Sequence, residues 1–114
     1  MSGDATSYLD WLVMTAPAAI ERRLTEVGAE LRRLREDLRI ADEELAHFAA
    51  EADDARLRAV VSEDKAAPRA QREAQKSVDA IQRQRHHLSA EVERLERSQD
   101  GLLDELSELR RGAS

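Results

Sequence analysis

Apolar residues recur along the first half of the chain at intervals that alternate between four and three positions, from Ile20 to Ala59. No position in this series is polar. The series comprises Ile20, Leu24, Val27, Leu31, Leu34, Leu38, Ala41, Leu45, Phe48, Ala52, Ala55 and Ala59. Such spacing is typical of a heptad repeat, in which apolar side chains line one face of a long helix. The pattern therefore predicts a helix over residues 17–61 with a continuous apolar seam.

A second series with the same period follows in the second half of the chain, and only Arg85 and Gln99 interrupt it. Its members are Ala74, Val78, Ile81, Arg85, Leu88, Val92, Leu95, Gln99, Leu102, Leu106 and Leu109. Between the two series the sequence reads SEDKAAP, and its proline disfavours helix at the preceding residue. We therefore predict a loop over residues 62–68 and a second helix over residues 69–111.

Two long helices with so short a connection are expected to pack as antiparallel neighbours. Folding the chain about its middle places apolar seam positions opposite one another, as with Leu24 and Leu109. The predicted fold is therefore all-α, with a long antiparallel two-helix coiled-coil hairpin over residues 17–114. A short helix is expected in the N-terminal segment, residues 1–16.

The two polar seam positions are candidates for fixing how the helices align. In the pairing above, Gln99 faces Leu34, and Arg85 faces Phe48, where a guanidinium can stack on the aromatic ring. A polar residue at a seam position commonly specifies register and helix number. Phe48, Arg85 and Gln99 are therefore the predicted register-specifying residues.

The N-terminal segment contains the stretch YLDWLVM at residues 8–14. Ser7 and Asp10 resemble a capping box, which favours a short helix here. Thr15 is then expected to cap the long helix, with Pro17 in its first turn. The sequence thus predicts a helix boundary between this stretch and the hairpin.

Tyr8, Trp11 and Leu12 make this segment apolar, and two interpretations of it remain open. These side chains could cap the leucine-rich base of the hairpin, or they could bind a partner protein. A signal peptide is not expected, because Arg22 is the first basic residue and Asp10 interrupts the apolar run. The run is also shorter than the roughly 20 apolar residues that cross a bilayer.

The charged positions that flank the seam differ between the two edges of the predicted hairpin. One edge pairs opposite charges, Glu21 with Arg110 and Arg35 with Glu96. The other edge, here called the acidic edge, carries a row of carboxylates. Its members are Glu30, Asp37, Glu44, Glu51, Glu91 and Glu105. This row is either a solvated face or a docking edge for a basic partner or a second hairpin.

Leu57, Val60 and Val61 lie near the predicted loop but outside the seam. They are expected either to contact another chain or to fold over the loop. Glu63 and Asp64 give the loop itself an acidic tip. The tip is thus a second candidate surface for protein contacts.

Composition limits the classes of partner. The 114 residues carry a net charge of −6, and 37% are charged while only 3% are aromatic. Acidic residues alternate with arginines throughout, so there is no concentrated basic face for nucleic acid. We expect a cytoplasmic protein that acts without nucleic acid or a membrane.

No arrangement of residues points to catalysis or to a bound cofactor. His86 and His87 are adjacent, so they point roughly 100° apart on a helix and do not chelate one ion together. The chain has no cysteine, and its four glycines are isolated rather than grouped in a phosphate-binding loop. The sequence therefore predicts neither an enzyme nor a metal, cofactor or small-molecule site.

Two families of transcription regulators share features with this pattern. Glu73, Ser77 and Gln84 resemble part of the motif by which some anti-sigma coiled coils bind a cyclic dinucleotide, but Ala80 and Leu88 replace its Arg and Asp. The resemblance implies that the missing Arg would stack on guanine and meet phosphate, so this ligand is not expected here. The acidic tip resembles hairpins that enter the channel of RNA polymerase, although their second globular domain is missing.

The sequence therefore favours a non-enzymatic coiled-coil adaptor or scaffold that acts through helix-to-helix contacts. The expected assembly is a homodimer or homotetramer, most simply a dimer packed as a four-helix bundle. A transcription-regulating adaptor is the alternative.

Overall fold

The protein is described by a computed structural model, which gives the backbone of residues 3–113 and the side chains of residues 15–112. Two helices account for nearly all of this chain: α1 (Gly3–Val61, 59 residues) and α2 (Ala67–Ala113, 47 residues). They form a hairpin, and the described residues contain no strand. The predicted all-α hairpin is confirmed.

The hairpin divides into two compact units, and each unit takes a segment from both helices. Unit 1 consists of Met1–Arg33 with Val92–Ser114, and unit 2 consists of Leu34–Glu91. Each unit therefore has its own stretch of the seam between α1 and α2.

The core of unit 1 is built from large apolar side chains. Val27, Leu31 and Leu95 are fully buried, and Val92 and Leu106 are nearly so. Burial of apolar surface stabilises a fold by about 25 cal/mol per Å², so each of these side chains contributes substantially. All of them belong to the seams that the heptad spacing predicts.

The core of unit 2 contains more alanine. Its buried residues are Leu34, Ala41, Ala52, Ala55, Ala67, Ala74, Val78 and Ile81. Alanine lets two helices approach closely but removes little apolar area from water. Unit 2 therefore has a thinner core than unit 1, and Ala67 is the one buried residue that the predicted seams did not include.

The loop is shorter than predicted and has a defined geometry. α1 ends at Val61, and the amide of Ser62 still donates to the carbonyl of Arg58 at 3.0 Å. Glu63 then takes a φ of 51°, which is the left-handed conformation that favours glycine. α2 begins at Ala67, so the connection covers residues 62–66.

Asp64 starts the second helix. Its Oδ1 accepts the amide of Ala66 at 3.0 Å, and its carbonyl accepts the amide of Ala67 at 3.1 Å. The first amides of a helix have no partner within the helix, and an Asp side chain commonly satisfies one of them. This cap explains why α2 begins two residues before the predicted boundary.

α1 has no break near Thr15, in contrast to the boundary that the sequence analysis predicted. The helix runs without interruption from Gly3 and contains Pro17 in its interior. A proline removes one backbone hydrogen bond, but Ala16, Ala18 and Ala19 around it are the strongest helix formers. The short N-terminal helix and the long helix are therefore one element.

Within unit 2, the alignment of the two helices also differs from the predicted pairing. Arg85 Nε lies 2.5 Å from Asp42 Oδ1, whereas the prediction placed Arg85 on Phe48. Phe48 instead shares a surface depression with Ala74 and Ser77. Both observations correspond to a displacement of about one heptad. A heptad seam tolerates such a shift, because moving by seven positions again places apolar residues opposite apolar residues.

Candidate functional site

In unit 1, the acidic edge is represented by Glu30 and Glu105. Glu30 is half-buried and lies 3.7 Å from Arg33 in the same helix. Glu105 is exposed and lines a groove between the two helices. The two carboxylates therefore have different surroundings, and only Glu105 borders an open apolar surface.

In unit 2, four predicted residues of the acidic edge are placed. Asp37 and Glu44 are exposed and have no ion pair among the described side chains, whereas Glu51 Oε1 lies 3.1 Å from His47 Nε2. Glu91 is half-buried beside Leu34. Within unit 2, Asp37 and Glu44 are therefore exposed carboxylates of the acidic edge without an ion pair to a described side chain, whereas Glu51 lies beside a histidine.

The opposite edge contains an ion pair that the sequence analysis predicted. Arg110 Nη2 lies 3.0 Å from Glu21 Oε1, linking the two helices of unit 1. Both side chains are more than half exposed, and exposed pairs of this kind contribute about 0.2–1 kcal/mol. The pair supports the alignment of the helices rather than their overall stability.

Most other charges on α1 pair within the helix. Arg39 bonds Glu36 at 2.6 Å and Glu43 at 2.5 Å. The hydrogen bond from Arg39 lowers the pKa of Glu36. These three side chains are more than half exposed, so they form a solvated helix surface.

At the tip, three apolar side chains remain in water. The exposed fractions are 58% for Leu57, 78% for Val60 and 77% for Val61. They do not fold over the loop, which was one of the two interpretations left open. These side chains therefore form an exposed apolar patch at the end of α1.

The two acidic tip residues have different environments. Asp64 uses one carboxylate oxygen to cap α2, as described above. Glu63 is exposed and makes no ion pair within the described part of the chain. A carboxylate free to meet an external cation is therefore available at Glu63.

The residues expected to fix the register lie at the seam with different exposure. Phe48 and Gln99 are half-buried. Arg85 is exposed and pairs with Asp42 rather than with Phe48. Arg85 is thus the one seam position of α2 that is exposed, whereas the other predicted seam positions of this helix are buried or half-buried.

A groove in unit 1 was missed by the sequence analysis. Its volume is about 660 Å³, and its apolar wall and floor combine small and branched side chains. The lining residues are Ala16, Ala19, Ile20, Gly101, Asp104, Glu105, Glu108 and Leu109. The small residues Ala16, Ala19 and Gly101 could have indicated a groove in the sequence. Whether they lie opposite one another depends on the register, and the heptad pattern does not fix the register.

The described side chains form no buried polar cluster and no group of metal-binding residues. None of the described polar or charged residues is buried. The rings of His86 and His87 lie 6.3 Å apart, and no three metal-binding side chains converge among the described residues. Within the same residues, neither helix contains an apolar stretch long enough to cross a bilayer.

Tyr8, Trp11 and Leu12 belong to α1, but their side chains lie outside the described residues. Comparison with models of protein families, with curated proteins and with solved structures gave no significant match.

Proposed function

We propose that this protein is a non-enzymatic coiled-coil adaptor of the cytoplasm, which binds other proteins through helix-to-helix contacts. The described ionisable side chains lie at the surface, whereas the apolar side chains of Leu57, Val60 and Val61 are left in water. A surface of this kind suits recognition of another protein better than chemistry on a small substrate.

Two regions support binding to a partner in addition to the tip patch. The acidic edge offers the exposed carboxylates of Asp37 and Glu44 in unit 2. The stretch around Tyr8, Trp11 and Leu12 is apolar in sequence and belongs to α1. Aromatic residues are enriched among the residues that dominate protein interfaces.

Self-association is part of the proposal. The alanine-rich core of unit 2 buries limited apolar area, so a second copy that packs on the hairpin adds stability. A homodimer arranged as a four-helix bundle is the simplest such assembly, and a homotetramer is the next. Size-exclusion chromatography with light scattering tests this, because a strictly monomeric mass at micromolar concentration contradicts it.

The adaptor function itself is tested by affinity purification from the native cell, followed by mass spectrometry. The full chain is compared with two variants, one lacking residues 1–16 and one with Glu44→Lys and Glu91→Lys. We expect specific protein partners on the full chain and loss of at least one partner from a variant. Absence of any enriched protein from the full chain would contradict the adaptor.

A role in transcription is the alternative form of this function, and exposed Glu63 at the tip is the observation that favours it. Glu63→Gln removes the charge and Asp64→Asn retains an oxygen that can cap α2. In this case we expect the double variant to keep the fold and lose any effect on an in vitro transcription reaction. An unchanged effect excludes the tip as the acting group.

A further inference from the structure

The groove in unit 1 is open along its length and apolar at its floor. Ala16 and Ala19 contribute small side chains from α1, while Ile20 and Leu109 are half-buried seam residues. Gly101 adds no side chain from α2, and a Cβ built on it meets no atom within 4 Å. The space above Gly101 is therefore free for a side chain of another molecule.

The rim of the groove is acidic on the side of α2. Asp104 and Glu105 are exposed and make no hydrogen bond or ion pair within the described residues. They differ in this from Glu36 and Glu43, which share Arg39. Glu108, farther along the rim, is already paired with Arg111.

The apolar floor and the acidic rim together indicate which kind of molecule would bind in the groove. An apolar floor between two helices accepts the apolar ridge of a third helix, whose anchors recur at every third or fourth position. Two unpaired carboxylates on one rim favour arginine or lysine on the flank of that helix. A second copy of this chain offers a poor match with its N-terminal stretch, because residues 3–14 contain Asp4 and Asp10 but no Lys or Arg.

We propose that the groove formed by Ala16, Ile20, Gly101 and Leu109 binds an amphipathic helix of a partner protein, with basic residues of that helix beside Asp104 and Glu105. The inference rests on the proposed adaptor function and names the site and the chemistry of the partner. It predicts binding that weakens with salt, because the flanking charges are exposed.

The direct test uses fluorescein-labelled synthetic helices of about 18 residues, long enough to be partly helical in water. One peptide carries a leucine ridge and flanking arginines, the second replaces the arginines by glutamates, and the third replaces the ridge leucines by serines. Fluorescence anisotropy with the full chain is the measurement. We expect the first peptide to bind at least tenfold more tightly than either of the others.

Substitutions in the chain locate the binding. Gly101→Leu fills the groove without changing charge, and leucine is a better helix former than glycine, so the fold is retained. Asp104→Lys with Glu105→Lys reverses the rim. We expect each variant to weaken binding of the basic peptide at least tenfold, with an unchanged far-UV circular dichroism spectrum.

The matched control is Asp79→Lys with Glu93→Lys, which makes the same change of charge at exposed carboxylates of α2 that belong neither to the groove nor to the acidic edge. This variant should bind the basic peptide within about twofold to threefold of the unchanged chain. Equal weakening by the control, or full binding by Gly101→Leu, overturns the assignment of the groove and indicates attraction by overall charge.

The same Gly101→Leu variant separates this inference from the proposed function. Affinity purification from the native cell is repeated with it. If the unchanged chain enriches partners and Gly101→Leu retains all of them, the groove is wrong while the adaptor stands. If the unchanged chain enriches none, the adaptor itself fails.

Discussion

Arg85 occupies a seam position of α2, yet its side chain is exposed and its Nε lies 2.5 Å from Asp42 Oδ1. The pair is about half exposed on both sides, so it contributes little to stability. The pair instead favours one alignment of the two helices over the others, because a shifted alignment would separate the two charges. One polar seam residue can therefore select among alignments that the apolar residues do not distinguish.

Replacing Arg85 tests this interpretation. Arg85→Leu should raise the free energy of unfolding by about 1 kcal/mol, because the buried apolar area outweighs the lost ion pair. It should also broaden the distribution of oligomers seen by light scattering. Arg83→Leu, at an exposed position outside the seam, is the control. Equal stabilisation by both variants would count against a special role for position 85.

Glu63 is a second residue with a testable conformation. Its φ of 51° costs a side chain with a Cβ about 1 kcal/mol, which glycine avoids. Glu63→Gly should therefore increase the free energy of unfolding by about 0.5–1 kcal/mol in urea titrations followed by circular dichroism. Glu63→Ala removes the same charge but keeps the Cβ, so it should give no such gain.

At the scale of single elements, the continuity of α1 through Pro17 has a measurable cost. A proline in a helix interior costs up to about 3 kcal/mol, whereas one in a first turn costs almost nothing. Pro17→Ala should therefore raise the helical signal at 222 nm and stabilise the chain by about 1–3 kcal/mol. Pro68→Ala, in the first turn of α2, should leave stability unchanged or slightly lower it. The same result for both prolines would indicate a helix boundary near Thr15.

The seam of unit 1 contains the largest fully buried side chains of the described residues, Val27, Leu31 and Leu95. Leu31 is almost completely buried, so Leu31→Ala should cost about 2–5 kcal/mol of unfolding free energy. Leu103 is about half exposed on the same helix pair, and Leu103→Ala should cost less than about 1 kcal/mol. Chemical denaturation gives both values. Similar losses would mean that the seam does not dominate the fold.

At the scale of the whole molecule, the heptad spacing predicts the two helices, the seam and the hairpin, because each follows from local periodicity. The Glu21–Arg110 pair of unit 1 was predicted as well, and the structure confirms it. The register within unit 2 was not predicted, because a shift by seven positions still places apolar residues opposite apolar residues. The groove at Gly101 was missed for the same reason, since it depends on which residues meet across the seam.

Cross-linking distinguishes the two registers. The chain has no cysteine of its own, so one pair of cysteines can be introduced at a time. Asp42→Cys with Arg85→Cys should be joined within one molecule by a short bismaleimide, as shown by mass spectrometry of the monomer band. Phe48→Cys with Arg85→Cys, the pairing expected from sequence, should react more slowly. Preferential reaction of the second pair would restore the expected alignment.

The uneven core has a mechanical consequence. Unit 1 contains the beginning of α1 and the end of α2, and its buried layers include Val27, Leu31 and Leu95. A force that pulls these two ends apart therefore loads the leucine layers before the alanine layers of unit 2. After the strong layers rupture, the remaining contacts resist less. Under tension the hairpin should therefore unfold abruptly at a threshold force rather than lengthen gradually as the force rises.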